Sequence, residues 1–427
     1  MISTTNGAPG RVIFFDNLRL FLVVCVVLQH AANAYNGLDW WPVAEPGADL
    51  VVGGLAAVLD AFTMPLLFYV AGYFAVPTME KKGFWRFITG KLKRLGLPWL
   101  IITLTICPLL PLVYHYTRDG LILTASYWEV WLELFKNALR FKVGLIPSTN
   151  ELMMANGFYQ RYMWFLSVLI PFFLIFAAAY GLRRSWFERI LRPARPEPRS
   201  AASTLKFMVG VASLTSLCSM GLVLLTMALT PGLTNPEALV TLGNVIQFRL
   251  SRLPLFVIYF SLGILTFKYR WVERGRFPGH LKTWLAAFLV IVIPFLAAYY
   301  QLLHGPENLE KLFGALYFLL LNFLTLASLG LFASLAARYF NRPTALNRNL
   351  AANSYNLYLT HYPFVIVIEL VLLGVTGMTS LAKFGVVSIL SLACAYLTSE
   401  FLLRRRPRMT AAGAFALLGV MALAIRA

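Results

Sequence analysis

Charge is scarce in this 427-residue chain: Asp, Glu, Lys and Arg together make up 13% of it. Soluble domains average roughly a quarter, so too little polar surface is present to wet a globule of this length. Intrinsic disorder is excluded as well, because it requires low hydrophobicity and 59% of these residues are hydrophobic. Cysteine is equally sparse. Cys25, Cys107, Cys218 and Cys394 all sit in apolar runs, which excludes a disulfide scaffold and points to buried thiols. The sequence contains no GxxxxGKS/T phosphate loop, no HExxH, no CxxC pair and no GxSxG elbow. No cluster has metal-ligand spacing, so neither a metal nor a permanently bound cofactor is expected.

Long apolar runs are what the chain does have. They occur near 12–34, 50–76, 97–115, 163–181, 207–229, 250–267, 283–303, 312–335, 353–373 and 381–402, with a weaker, Ala-rich eleventh over 410–425. Each of the ten approaches or exceeds the roughly 20 residues needed to cross a bilayer as a helix. They are too long and too uniformly apolar for barrel strands. The expected fold is therefore all-α: a polytopic helical bundle of ten spans, with 410–425 as a further C-terminal helix. One integral-membrane unit over 12–406 follows, with a tail at 1–11 and a C-terminal segment at 407–427. The first run carries Asp16 and Arg19 and lacks a small-residue cleavage site, so it reads as a retained span rather than a signal peptide.

Orientation follows from the basic residues. With the N-terminus inside, inner segments hold 26 Lys and Arg and outer segments hold 7. This asymmetry is the positive-inside pattern. The formal net charge of +19 thus records insertion and contact with anionic lipid, not nucleic-acid binding.

Ionisable residues inside spans are costly and usually face a cavity or a partner. Here they are Asp16, Arg19, His30, Asp60, Arg249, Arg252, His361, Glu369 and Glu400. Arg19 and His30 stand eleven residues apart. At 100° per residue that is about 1100°, three turns plus roughly 20°, so both share one helix face about 16 Å apart along the axis. A fixed cation low on the wall and a titratable imidazole high on it suit a site with an anionic donor inside and an acceptor outside. The plainer reading pairs Arg19 with Asp16 and leaves His30 at the helix end. Glu400 is expected to pair with Arg404, Glu369 to be wetted at an outer edge, and Asp60 has no partner nearby in sequence. Arg249 and Arg252 either meet an anionic acceptor or pair with outer acidic groups. Trp128, Trp131, Tyr159 and Tyr162, in the outer segment 116–162, either lie at the lipid interface or cover an outward-facing site.

The motifs, taken in order, resemble those of membrane-bound acyltransferase family 3. They are Arg19 to His30; Phe68-Tyr69-Val70-Ala71-Gly72-Tyr73-Phe74, followed by Lys91-Leu92-Lys93-Arg94-Leu95-Gly96-Leu97-Pro98; Trp164-Phe165-Leu166; Arg252-Leu253-Pro254 with Phe260-Ser261-Leu262-Gly263; and Ser354-Tyr355 through Tyr358 to His361-Tyr362-Pro363. The resemblance runs over about 12–406. Ala71 stands where the family usually has Ser. No esterase-like (SGNH) domain is appended, which places the pattern nearer the glucans biosynthesis protein C branch.

The resemblance implies a bacterial cytoplasmic-membrane enzyme that moves an acyl group, acetyl or succinyl, from cytoplasmic acyl-CoA to a hydroxyl of a carbohydrate-type acceptor outside. A sugar hydroxyl needs a base to begin taking its proton, and imidazole suits that task. His30 is the expected base and Arg19 the group that holds or polarises the donor. Arg94 and Lys93, at the inner mouth, either meet the CoA phosphates or set topology. Arg252 and Trp164 are expected on the acceptor side, and His361 is expected there, behind the site, or as a structural link between helices. Asp16, Tyr358 and Glu400 are expected in structural polar contacts. The competing class is a multi-span transporter of a small anionic or sugar solute. Transporters usually show paired broken helices in two repeated halves, a pattern this sequence does not display.

Overall fold

The computed structural model describes residues 13–37, 40–119, 127–146, 158–182, 200–230, 238–271, 279–341 and 344–406. The chain forms α1 (Ile13–Ala32), α2 (Leu50–Lys82), α3 (Phe84–Lys91), α4 (Leu97–Thr105), α5 (Leu109–Asp119), α6 (Tyr127–Leu139), α7 (Trp164–Leu182), α8 (Ala201–Leu229), α9 (Leu253–Lys268), α10 (Leu281–His304), α11 (Glu310–Tyr339), α12 (Ala345–Leu373) and α13 (Ser380–Leu397). Local chemistry sets several of the starts. Asp49 accepts from Val51 N and Val52 N, and Ser200, Thr344 and Thr379 cap α8, α12 and α13 in the same way.

Among the described residues, nine helices are long and apolar enough to cross a membrane. A tenth crossing is the pair Phe84–Thr105 and Leu109–Arg118, bent by 42°. Its first end packs Phe87 on Phe173 and Phe176 of α7. Its other end hydrogen-bonds the segment after α1 through Thr117 and Arg118. The pair therefore runs from one end of the bundle to the other. The bundle's exterior is apolar: Leu217, Val290 and Ile389 are 72%, 71% and 69% exposed. Such a surface suits hydrocarbon, and the helices satisfy their own backbone there. The protein is a multi-pass membrane protein.

Two sequence expectations need correction. The basic stretch 77–96, which lies between the second and third apolar runs, is helical. α2 continues to Lys82, Gly83 turns the chain at φ +73°, and α3 passes through a π-helical turn, Leu92–Gly96, into α4. Its basic residues share the stretch with Phe84 and Phe87, whose rings dock on α7. The second correction is a small antiparallel sheet, β1 (Val143–Ile146), β2 (Leu239–Leu242) and β3 (Ile246–Arg249), in the order β1-β2-β3. Gly243 and Asn244, both at positive φ, turn the β2–β3 hairpin. Strands of four residues carry too little period to be read beside spans of twenty or more. The weaker run 410–425 lies outside the described residues, as does the Pro/Arg-rich stretch 192–199.

Close helix crossings come from glycine. A Cβ on Gly72 would sit 2.0 Å from Phe260 O, and one on Gly263 would sit 2.1 Å from Tyr69 O. α2 and α9 thus each slide a glycine under the other's backbone. Gly330 leaves room for the Trp284 indole in the same way. Prolines free carbonyls that side chains then cap. Pro65 has no N–H for Ala61 O, and Thr325 Oγ1 donates to it at 2.7 Å. Pro363 likewise frees Leu359 O, which accepts from Tyr162 OH at 3.4 Å.

Candidate active site

α1 lies within the bundle, with Phe15, Leu22, Val26 and Val27 all fully buried. It packs against α2 and α12. Arg19 meets Ala351 and Ser354 of α12, and His30 meets His361 farther along it. Both contacts ascend in sequence on both helices, so α1 and α12 run parallel. Ser354 and His361 are two helical turns apart and share a face, which is the face α1 packs against.

At the first end of this wall, Arg19 Nε donates to Ser354 Oγ at 3.1 Å and Nη2 donates to Ala351 O at 3.2 Å. Asp16 lies 3.5 Å from the same nitrogen, so the plain ion pair exists and Arg19 reaches α12 besides. Arg94 stands nearby. Its guanidinium lies 5.2 Å from the centre of the Tyr355 ring, and Tyr355 OH donates to Arg94 O. Arg19 and Arg94 thus touch consecutive residues of α12. Lys93 is exposed on the same π-helical turn, a feature frequent at functional sites. Below them Glu400 joins Arg404, Arg405, Asn349 and Asn353, the structural contact expected of it.

At the other end a cavity of about 350 Å³ opens beside His30. Trp40, Trp41, Trp164, Tyr162 and Tyr362 supply aromatic walls, and Gln29, Asn33, Asn36, Gln247 and Asp60 supply polar groups. Arg161, Arg249 and Arg252 also line it. His30 is buried and its Nδ1 lies 2.8 Å from His361 Nε2. Tyr362 meets the His30 ring edge-on at 5.1 Å and stacks on Tyr162 at 4.2 Å.

Of the residues expected on the acceptor side, Arg252 and Trp164 line this cavity and His361 does not. His361 is 0% exposed and stands behind His30. Asp60 does have partners. It accepts from Gln29 Nε2 at 3.1 Å and lies 3.4 Å from Arg252 Nη2. Glu369 is not wetted. It is 1% exposed, and its Oε2 accepts from Trp41 Nε1 at 2.7 Å. Tyr358 OH donates to Tyr162 O at 3.0 Å, a polar contact between α12 and the segment before α7. The outer aromatics divide. Trp131 Nε1 donates to Leu104 O at the bend between α4 and α5, Trp128 is exposed, Tyr159 packs with Ile146 and Leu239, and Tyr162 lines the cavity.

Several cavity residues carried no sequence signal. Gln160 is tied to Trp99, Gln247 and Val245. It anchors Arg161, which holds a left-handed φ of +50° at the cavity wall. Non-glycine residues at such angles cluster at functional sites. Trp41 belongs with them, since it bridges the His30 ring and Glu369. A lone WW or QR dipeptide in an irregular segment has no period to betray it.

A family model described as an acyltransferase domain, family 3, matches residues 12–400. The chain belongs to acyltransferase family 3. No curated protein and no solved structure matches it. The family match covers every crossing described above and both ends of the Arg19–His30 wall. It does not separate the family's branches. The structure joins the two glycine-bearing motifs: Gly72 and Gly263, far apart in sequence, are the two halves of one helix crossing.

Proposed function

We propose that this membrane acyltransferase moves an acyl group, acetyl or succinyl, from cytoplasmic acyl-CoA to a hydroxyl of a carbohydrate-type acceptor held in the His30 cavity. The observation that carries the reading is the position of His30, a buried imidazole that opens onto a cavity lined by both aromatic faces and planar polar groups. Sugars present apolar faces and hydroxyl edges together, and such a lining offers a surface for each. The basic Arg19 end faces the cytoplasm in this reading, because inner segments hold 26 of the Lys and Arg residues. Arg94 and Lys93 meet the CoA phosphates there, and Arg19 holds the donor arm. The cavity then faces outward, on a bacterial cytoplasmic membrane.

The chemistry is direct transfer. His30 takes the acceptor's hydroxyl proton as the oxygen attacks the thioester carbonyl. The C–O bond forms, the C–S bond breaks, and the proton passes to the departing thiolate. Family membership favours this chemistry over solute transport.

Thiol release from acetyl-CoA and succinyl-CoA by the protein in lipid, with a glucan-rich extract as acceptor, tests the reading. Release that depends on acceptor is expected, together with a loss of at least about a hundredfold for His30→Ala. Acceptor-dependent release that survives His30→Ala would remove His30 from the reaction.

A further inference from the structure

Two buried imidazoles meet beside the cavity, and their partners fix which nitrogen of each carries a proton. His361 Nδ1 lies 2.8 Å from Tyr358 O and 3.1 Å from Leu357 O, both in the preceding turn of α12. A carbonyl oxygen only accepts, so Nδ1 of His361 is the donor. In the neutral ring its Nε2 is then an acceptor. That Nε2 faces Nδ1 of His30 at 2.8 Å. The rings are within 8° of parallel, yet their centres are 5.0 Å apart. They meet edge to edge along the hydrogen bond rather than face to face. His30 Nδ1 therefore donates, and the lone pair of His30 is on Nε2, on the ring edge turned from His361.

We propose that His361 is a positioning residue: it holds His30 in the Nδ1–H tautomer and aims a basic Nε2 at the acceptor hydroxyl. The tautomer follows from geometry alone, while the hydroxyl as its target rests on the function proposed above. His361 does not line the cavity, so it acts through His30. Its anchors belong to the helix that carries it. Leu357 and Tyr358 precede it by four and three residues, and α1 is packed along the same face. The acceptor for His30 Nδ1–H is thus referenced to backbone, which holds it more firmly than a free side chain would.

Two variants separate positioning from packing. In His361→Gln the amide oxygen still accepts from His30 Nδ1–H. In His361→Leu nothing does. Imidazole 15N spectra of the protein in lipid report the tautomer directly, with His115, His280 and His304 replaced by Asn to leave two rings. We expect Nδ1–H and unprotonated Nε2 at His30 in the parent and in His361→Gln, and a mixture of tautomers in His361→Leu. In thiol release, His361→Gln should keep kcat within about tenfold, and His361→Leu should lose about a hundredfold or more with KM within about threefold. An Nε2–H tautomer at His30 in the parent overturns the proposal. So does His361→Leu with an unchanged tautomer or unchanged kcat. The spectra decide the tautomer whether or not thiol is released, so a parent protein that releases none would overturn the acyl-transfer reading alone.

Discussion

Gly72→Ala tests whether the Phe68–Phe74 motif serves packing or chemistry. The new Cβ would lie 2.0 Å from Phe260 O, 2.8 Å from Phe260 C and 3.1 Å from Phe260 Cα. An ordinary close carbon–oxygen contact is about 3.3 Å, so α2 and α9 must part by about 1.3 Å. No side chain can rotate away, because every atom struck is backbone. Overpacking costs about 1–3 kcal/mol, and this rigid contact places Gly72→Ala at the upper end. Gly263→Ala meets Tyr69 O at 2.1 Å and Tyr73 N at 2.6 Å, so it should cost about as much. The sharper expectation concerns the double variant. Once one alanine has parted the helices, the second finds space, so the pair should cost clearly less than the sum. SDS unfolding of the four proteins in mixed micelles measures this. Full additivity, or a Gly72→Ala protein as stable as the parent, would refute a crossing made by mutual glycine insertion. Any loss of thiol release should follow the loss of folded protein, because no atom of Gly72 approaches the cavity.

Two further outcomes are expected. Trp41→Phe removes the indole N–H that donates to Glu369 Oε2, while Glu369 Oε1 is buried with no hydrogen-bond partner among the described residues. The orphaned carboxyl should cost about 1–3 kcal/mol, and Trp41→Phe with Glu369→Leu should regain most of it in the same unfolding assay. On the proposed function, Arg94→Gln should raise the KM for acyl-CoA about fivefold, equivalent to about 1 kcal/mol. Thiol release at saturating donor should be nearly unchanged, and a fall in kcat instead would take Arg94 out of donor binding.

The helices were legible because a span of twenty apolar residues is a long, redundant signal. Their direction was expected from the basic residues alone. Arg19 and His30 were legible because helical spacing puts residues eleven positions apart on one face, and α12 indeed receives both side chains. The partner of Asp60 was not legible, since Arg252 is 192 residues away and only tertiary packing brings them together. Glu369 misled for a related reason. Its place near the end of a run suggested water, yet the segment after α1 folds back and lays Trp41 over it. The basic stretch 77–96 misled in the opposite sense. Lysines and arginines mark a side of the membrane in sequence, but they are also good helix formers, and here the helix simply continues through them.

The geometry of the Arg19–His30 wall constrains the donor on the proposed reading. From Arg19 to His30 is eleven residues of α1, and from Ala351 to His361 is ten residues of α12, so the two contacts are about 15–16 Å apart on both helices. The two spacings match, as expected of contacts between two parallel helices. Yet the groups suited to anions, Arg19 and Arg94, are at one contact, while the imidazole and its cavity are at the other. On that reading a donor anchored by its phosphates at Arg94 would present its thioester carbon at His30 on a long flexible arm, and the pantetheine of CoA is such an arm. On the same reading, one helix carrying both residues sets the distance between donor anchor and base. Binding energy gained at the Arg19 end can position a carbon at the His30 end only if the distance between them is fixed, and a continuous α1, buried against α2 and α12, fixes it.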